Sequence, residues 1–380
     1  MAMFFLYNEE SGIKRVRSKD YNYQFNTKTG HFARWGKTQE DDPKVGHLEI
    51  FDLEVSDICN GIPAKGSDVA TPCSFCYKSN TKSGTNMSFD TFKTIFDKLP
   101  RTLCQIAFGI GDIGANPDLV RMMEYCREND RNPNVVPNLT INGYGLTDEW
   151  VDTLALLCGG IAVSRYDNED VCYDAVKKLT DAGITQVNIH AVLAEESIES
   201  CYKLIRDVAE DVRLAQVKAV VFLTLKPMGK RNKWHTVKDI KRYRDLVQYA
   251  FDYNVGVGFD SCSAPTFLAA MKDHPMYEQL AQMSECCESD RFSGYANVKG
   301  EWHHCSFSEN HPAWYGIDLL KINNFEEEVW NAAPVRKFRN ALLRQDNSHV
   351  GNEVYLCPSY DLYDEKIGKA RQYIPIKEVK

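Results

Sequence analysis

Three cysteines, Cys59, Cys73 and Cys76, stand in one short stretch, with thirteen residues between the first two and two between the last two. A pair spaced this way can hold one metal centre from a tight turn. A third thiolate from the same stretch makes three. On a four-iron cube, three thiolates leave one iron open, and an open iron can take a chelating small molecule. A structural zinc site wants a closed set of four ligands, and this stretch holds no His and no fourth Cys. A second set lies much later: Cys262, Cys286, Cys287, Cys305 and Cys357. The remaining five, Cys104, Cys126, Cys158, Cys172 and Cys201, lie singly in apolar segments and read as small core hydrophobes.

Thirteen cysteines in 380 residues are too few for a disulfide scaffold, and the number is odd. In a reducing compartment such clusters point to metal or redox chemistry. The formal charge of −8 argues against tight, non-specific binding of nucleic acid, which needs a positive field. No run approaches the roughly 18 apolar residues of a membrane span, and the first ten residues turn acidic too soon for a signal peptide. The expectation is a cytoplasmic protein with no membrane partner.

The elements that must position these cysteines follow from periodicity. Residues 1–46 are polar with interspersed aromatics and read as a cap, a short hairpin or irregular. Within it, Lys14-Arg15-Val16-Arg17 reads as a solvated face. From His47 the texture alternates. Strands are expected at 47–56, 105–110, 135–141, 161–164, 186–193, 219–225 and 255–259. Helices are expected at 88–99, 116–127, 147–158, 169–182, 197–208 and 237–253, with Ser88 as an N-cap and Gly183 as a stop. Strict alternation implies parallel strands with right-handed crossovers. With seven strands and no dinucleotide fingerprint, the fold class is α/β: a partial (β/α) TIM-like barrel over 47–261. A small C-terminal domain over 262–380 follows. Active sites of such barrels lie at the C-terminal ends of the strands, and Cys59 comes three residues after the first strand.

Here the sequence resembles the radical S-adenosylmethionine (radical SAM) superfamily, whose usual motif is C-x3-C-x2-C with an aromatic before the last Cys. Phe75 holds the aromatic place. The first spacing departs from the family; the insert 60–72 holds Gly61, Pro63, Gly66 and Pro72, so it can bulge without moving the ligands. Gly111-Asp112 at the second strand end resembles the family's Gly-Gly-Glu-Pro segment, which holds the methionine ammonium of SAM; Asp112 replaces Glu and Ile113 replaces Pro. Thr140-Ile-Asn142-Gly143 resembles the family's Thr-Asn-Gly turn. Ser164, Asn188 and His190 sit at strand ends where the family contacts the ribose and carboxylate of SAM. The resemblance covers residues 47–260 and implies that Cys59, Cys73 and Cys76 hold a [4Fe–4S] cluster.

In the later set, Cys287, Gly300 and Cys305 resemble the C-x9–15-G-x4-C signature of SPASM and twitch auxiliary-cluster domains. Residues 292–302 alternate like a hairpin turning near Lys299-Gly300. Cys262 and Cys357 complete four ligands for one auxiliary [4Fe–4S] cluster, with Cys286 as the alternative to Cys287 and a zinc site with His303 or His304 as the alternative chemistry. The implied activity is reductive SAM cleavage and hydrogen abstraction by a 5′-deoxyadenosyl radical, with an electron donor such as flavodoxin or ferredoxin. The implied substrate is a peptide or protein side chain, although the 46 residues before the barrel are too short for a winged-helix peptide-recognition domain. A nucleoside, nucleotide or modified nucleobase is the alternative, because Lys226, Lys230, Arg231, Lys233 and Trp234 crowd the sixth strand's exit. A non-enzymatic iron–sulfur or zinc scaffold is the alternative from another class. No acid or radical-quenching residue is assigned; Tyr144, Tyr166 and Cys172 lie near strand ends.

Overall fold

The computed structural model describes residues 3–285, 287–309, 311 and 314–343. The chain opens with an antiparallel meander: β1 (Phe4–Asn8), β2 (Ile13–Arg17), β3 (Asn22–Asn26) and β4 (Phe32–Trp35). This is more than the expected hairpin or irregular cap. Tyr21, Tyr23 and Phe25 alternate with polar residues, so one face of β3 is apolar, and it packs with Val16 onto Cys104, Val136 and Phe292. Lys14 is not on a solvated face. It is fully buried, its Nζ donating to Leu103 O at 3.0 Å and Asn132 Oδ1 at 3.3 Å, and burial lowers its pKa to about 8. The meander therefore docks beneath the segment that leads into the second barrel strand.

The expected alternation follows. β5 (Ile50–Glu54) leads to a two-residue ladder of β6 (Ile62–Pro63) and β7 (Ala70–Thr71) and then α1 (Phe89–Phe96). Next come β8 (Gln105–Gly109), α2 (Leu119–Glu128), β9 (Val136–Ile141), α3 (Asp148–Leu157), β10 (Gly160–Ser164) and α4 (Glu169–Asp181). β11 (Val187–Leu193), α5 (Ile198–Glu210), β12 (Ala219–Thr224), α6 (Ile240–Asp252) and β13 (Val257–Phe259) complete it. Ser88 caps α1 by accepting from Thr91 N, and Gly183 ends α4 at φ +86°. Each strand buries one face against the surrounding helices in a single large core.

Beyond β13 come α7 (Ala264–Met271), α8 (Tyr277–Gln282), β14 (Ser293–Ala296), β15 (Glu301–His303), β16 (Ile317–Asp318) and α9 (Ala333–Leu343). The expected hairpin is present, turning at Gly300 with φ +80°. It is also part of the barrel sheet. β14 pairs in parallel with β5, giving the order β13-β12-β11-β10-β9-β8-β5-β14-β15-β16. Eight strands of this sheet run parallel, the eighth supplied from the C-terminal region.

The inner face of the sheet is open. Asp52, Gly109 and Thr140 are exposed, although each lies in a strand flanked on both sides. Space for ligands therefore runs down the lumen behind the catalytic end.

Candidate functional site

The thirteen-residue insert has a structural explanation. β6 and β7 pair as Ile62↔Thr71 and Pro63↔Ala70, so the insert is a small hairpin that returns the chain to its starting point. Gly61 makes the entry, at φ +81°; a Cβ there would lie 1.9 Å from Thr71 O. The hairpin is moored outward by Asn168 Nδ2, which donates to Pro63 O at 3.1 Å. The strand after the cysteines closes the loop again, with Cys59 N donating to Thr81 O at 2.9 Å.

Cys59, Cys73 and Cys76 are thereby brought together at the catalytic end. Cys73 and Cys76 share a thiol–thiol hydrogen bond, and the charge of each acts on Cys59 or is acted on by it. That bond favours the Cys76 thiolate, which the backbone N–H groups of Asn80, Lys78 and Ser79 stabilise further. The same bond and burial push the Cys73 thiol up. Burial and the nearby Asp112 carboxylate raise Cys59 to about 11. Three thiols held like this ionise together only against a strong positive charge, which is what a metal centre supplies. Among the described residues, no three His, Cys, Asp or Glu side chains gather as a site for one metal ion. Three thiols are a donor set that leaves one iron of a four-iron cluster open, whereas a structural zinc site wants a closed set of four ligands.

The resemblance's SAM residues divide into two groups. Gly111 lies against Cys59: a Cβ there would stand 2.9 Å from the Cys59 sulfur. Asp112 Oδ2 accepts from Asn60 N and Asn60 Nδ2, both at 2.7 Å, while Asn142 Nδ2 donates to Oδ1 at 2.8 Å. Gly111, Asp112 and Asn142 thus form one patch with Cys59. Ser164, the last residue of β10, and His190, midway along β11, are register partners, and Asn188 lies one rung deeper beside Ala162. Burial lowers the His190 pKa to about 4, so at neutral pH the imidazole is uncharged. Phe75 stacks between Trp234, at 4.0 Å between centroids, and Tyr166, at 6.0 Å. These three rings pack together beside the cysteine loop.

The loop after β12 commits two of its four cations to the protein itself. Lys226 is buried in an ion pair with Asp260. Arg231 donates to Ser79 O at 3.3 Å and Asn80 O at 2.9 Å. Lys230 N donates to Ser79 Oγ at 2.7 Å, and Gly229 packs on Cys76 O. Only the Lys230 and Lys233 side chains remain exposed. The loop buttresses the cysteines. Arg231→Met, which leaves two carbonyls unpaired at a cost of about 1–3 kcal/mol, is expected to speed iron loss to a chelator several-fold; an unchanged release rate would remove this role.

Of the second set, Cys262 follows β13, Cys287 precedes β14 and Cys305 follows β15. The segments meet through neighbours. Lys226 pairs with Asp260 and lies 4.7 Å over the Phe307 ring. Cys287 packs against Trp314 and Phe338, and His304 stacks on Phe338 at 4.0 Å. Cys286 and Cys357 lie outside the described residues.

The sequence reading missed a charged network inside the lumen. Lys78 Nζ reaches Tyr295 OH at 2.9 Å and Glu54 at 3.2 Å and pairs with Glu309. A signal existed: in a strand whose outer face meets helices, the polar face of Ile50–Glu54 must point inward.

This architecture is the radical SAM fold, a mostly parallel partial barrel with its cysteine loop at the strand ends. Among solved structures, the chain resembles anSMEcpe, an anaerobic sulfatase-maturating enzyme, with bound AdoMet: TM-score 0.56, 15% identity, over 77% of this chain and 80% of that one. It also resembles native anSMEcpe with bound AdoMet and the Cp18Cys peptide: TM-score 0.55, 15% identity, over 80% and 84%. No family model and no curated protein matches the sequence. Among the described residues, no helix is long and apolar enough to cross a membrane.

Proposed function

We propose that this chain is a radical SAM enzyme acting on a peptide or protein side chain. One observation carries the reading: three thiols on one loop, with Gly111, Asp112 and Asn142 beside them, at the mouth of an open lumen. Cys59, Cys73 and Cys76 would hold the [4Fe–4S] cluster, which with SAM supplies a 5′-deoxyadenosyl radical able to abstract hydrogen from carbon. The chain's own residues do the rest. Asp112, held in place by Asn60 and Asn142, offers a carboxylate to the SAM ammonium. Gly111 keeps the backbone low enough for a ligand to lie beside Cys59. Ser164, Asn188 and neutral His190 offer hydrogen-bonding groups along the lumen wall. Phe75, Trp234 and Tyr166 exclude water from the loop, which protects a reactive intermediate. The peptide substrate is favoured by the peptide-bound anSMEcpe likeness, and the commitment of Lys226 and Arg231 weakens the nucleotide alternative.

The test is anaerobic reconstitution followed by SAM and dithionite, with 5′-deoxyadenosine read by mass spectrometry. No product, together with a cluster spin-resonance signal that SAM does not change, would favour the scaffold alternative. We further propose one auxiliary cluster on Cys262, Cys287, Cys305 and Cys357, with an electron donor such as flavodoxin or ferredoxin serving the enzyme. The expected iron content is then about eight per chain, two four-iron clusters; about four would leave the first cluster alone.

A further inference from the structure

The lumen contains a carboxylate that nothing among the described residues neutralises. Asp52 lies mid-strand in β5, in register with Ala107 on one side and Tyr295 on the other. Protein surrounds the aspartate, yet the space in front of it is open to the lumen. Among the described residues, no hydrogen bond or ion pair reaches it. The groups that act around it do not help. Glu288, before β14, adds like charge. Glu54, one rung above, shares Lys78 with Glu309 and the Tyr295 hydroxyl, so that ammonium is saturated. Tyr77 is held neutral by burial and bonds Ser306. His190 is uncharged, and β8 contributes Gln105, Ala107 and Gly109 on this face. Three lumen carboxylates, Asp52, Glu54 and Glu309, thus face one ammonium.

An unpaired carboxylate in such a place is costly, and burial raises its pKa to about 7. A bound cation would relieve that cost. SAM's ammonium has its own partner in Asp112 at the rim. We propose that Asp52 is a specificity-determining residue that receives a cationic group of the substrate, an ammonium or guanidinium, below the SAM position. This deepens the peptide reading above and rests on it: the substrate presents a lysine- or arginine-like side chain to the lumen.

The test is calorimetric binding of N-acetyl-lysine amide and N-acetyl-arginine amide against N-acetyl-norleucine amide, which lacks the charge. The reconstituted full chain is used, with and without SAM. The charged amides are expected to bind about tenfold or more tightly than the neutral one. Asp52→Glu should retain the preference and Asp52→Asn should lose it, with unchanged circular dichroism and melting temperature in both. Below pH 7 the preference should fall by about tenfold per unit as Asp52 takes a proton. Equal binding of the norleucine amide, no measurable binding of the charged amides, or a preference that survives in Asp52→Asn would overturn the assignment. So would displacement of the charged amides by SAM, which would make SAM the cation. No readout here uses SAM cleavage. The failure of the radical reading and the failure of this one are therefore separately visible.

Discussion

Cys73→Ala is expected to abolish 5′-deoxyadenosine formation. The loop supplies three thiols and no substitute; Cys73 is bonded to Cys76, Cys76 acts on Cys59, and Cys59 acts on Cys73. Removing a ligand costs more than removing an outer-shell partner, which alone costs a metal site about 10–100-fold. The variant should therefore fall below detection in product and lose the iron of the first site, while circular dichroism stays that of the parent. Cys126→Ala is the matched control. Cys126 is fully buried in the core, far along α2, and burial chiefly pushes its thiol up. It should cost stability and leave product per iron unchanged. Product from Cys73→Ala at parental rate would show that the loop is not the site of cleavage.

Gly229→Ala is expected to have the next largest effect. Gly229 has φ +98°, and an added Cβ would stand 2.2 Å from the carbonyl oxygen of Cys76. The oxygen belongs to backbone and the Cβ is fixed to it by its own Cα, so neither can rotate away. The unfavourable φ alone costs about 1–3 kcal/mol, about tenfold or more in an equilibrium, and the collision adds to it by pushing the Cys76 turn outward. The expected result is at least about a tenfold loss of iron retention against a chelator, with product falling in proportion. Gly66→Ala makes the comparison. It has φ +81° in the insert hairpin, with nothing within 4 Å of an added Cβ. It carries the same kind of strain without the collision, so it should lower the melting temperature slightly and retain iron. Equal iron retention in the two variants would mean that the buttress after β12 does not hold the cysteines.

How much of this was legible beforehand depends on the range of the contacts involved. All seven strands and six helices of the alternating core are where periodicity put them, because each needs only its own apolar face and caps. The hairpin at Lys299-Gly300 was legible for the same reason. The N-terminal meander was underread: its alternation of Tyr21, Tyr23 and Phe25 is a strand signal, but its apolar face is buried against the distant residues Cys104, Val136 and Phe292. Lys14 was misplaced on the surface because its partners, Leu103 O and Asn132, belong to another element.

Residue chemistry and spacing by themselves determined the fold class of this protein: alternating elements make a parallel partial barrel, and Cys59, Cys73 and Cys76 fall after its first strand. Tertiary structure alone decided three further matters. It joined β14 to β5, adding a strand from the C-terminal region to the barrel sheet. It turned two of the four cations after β12 inward, Lys226 onto an aspartate and Arg231 onto carbonyls of the cysteine loop. It left Asp52 facing open space with no cation among the described residues to meet it. The reason is physical: local sequence sets which face of an element is apolar, whereas the partner of a buried charge is set by whichever distant segment folding brings beside it.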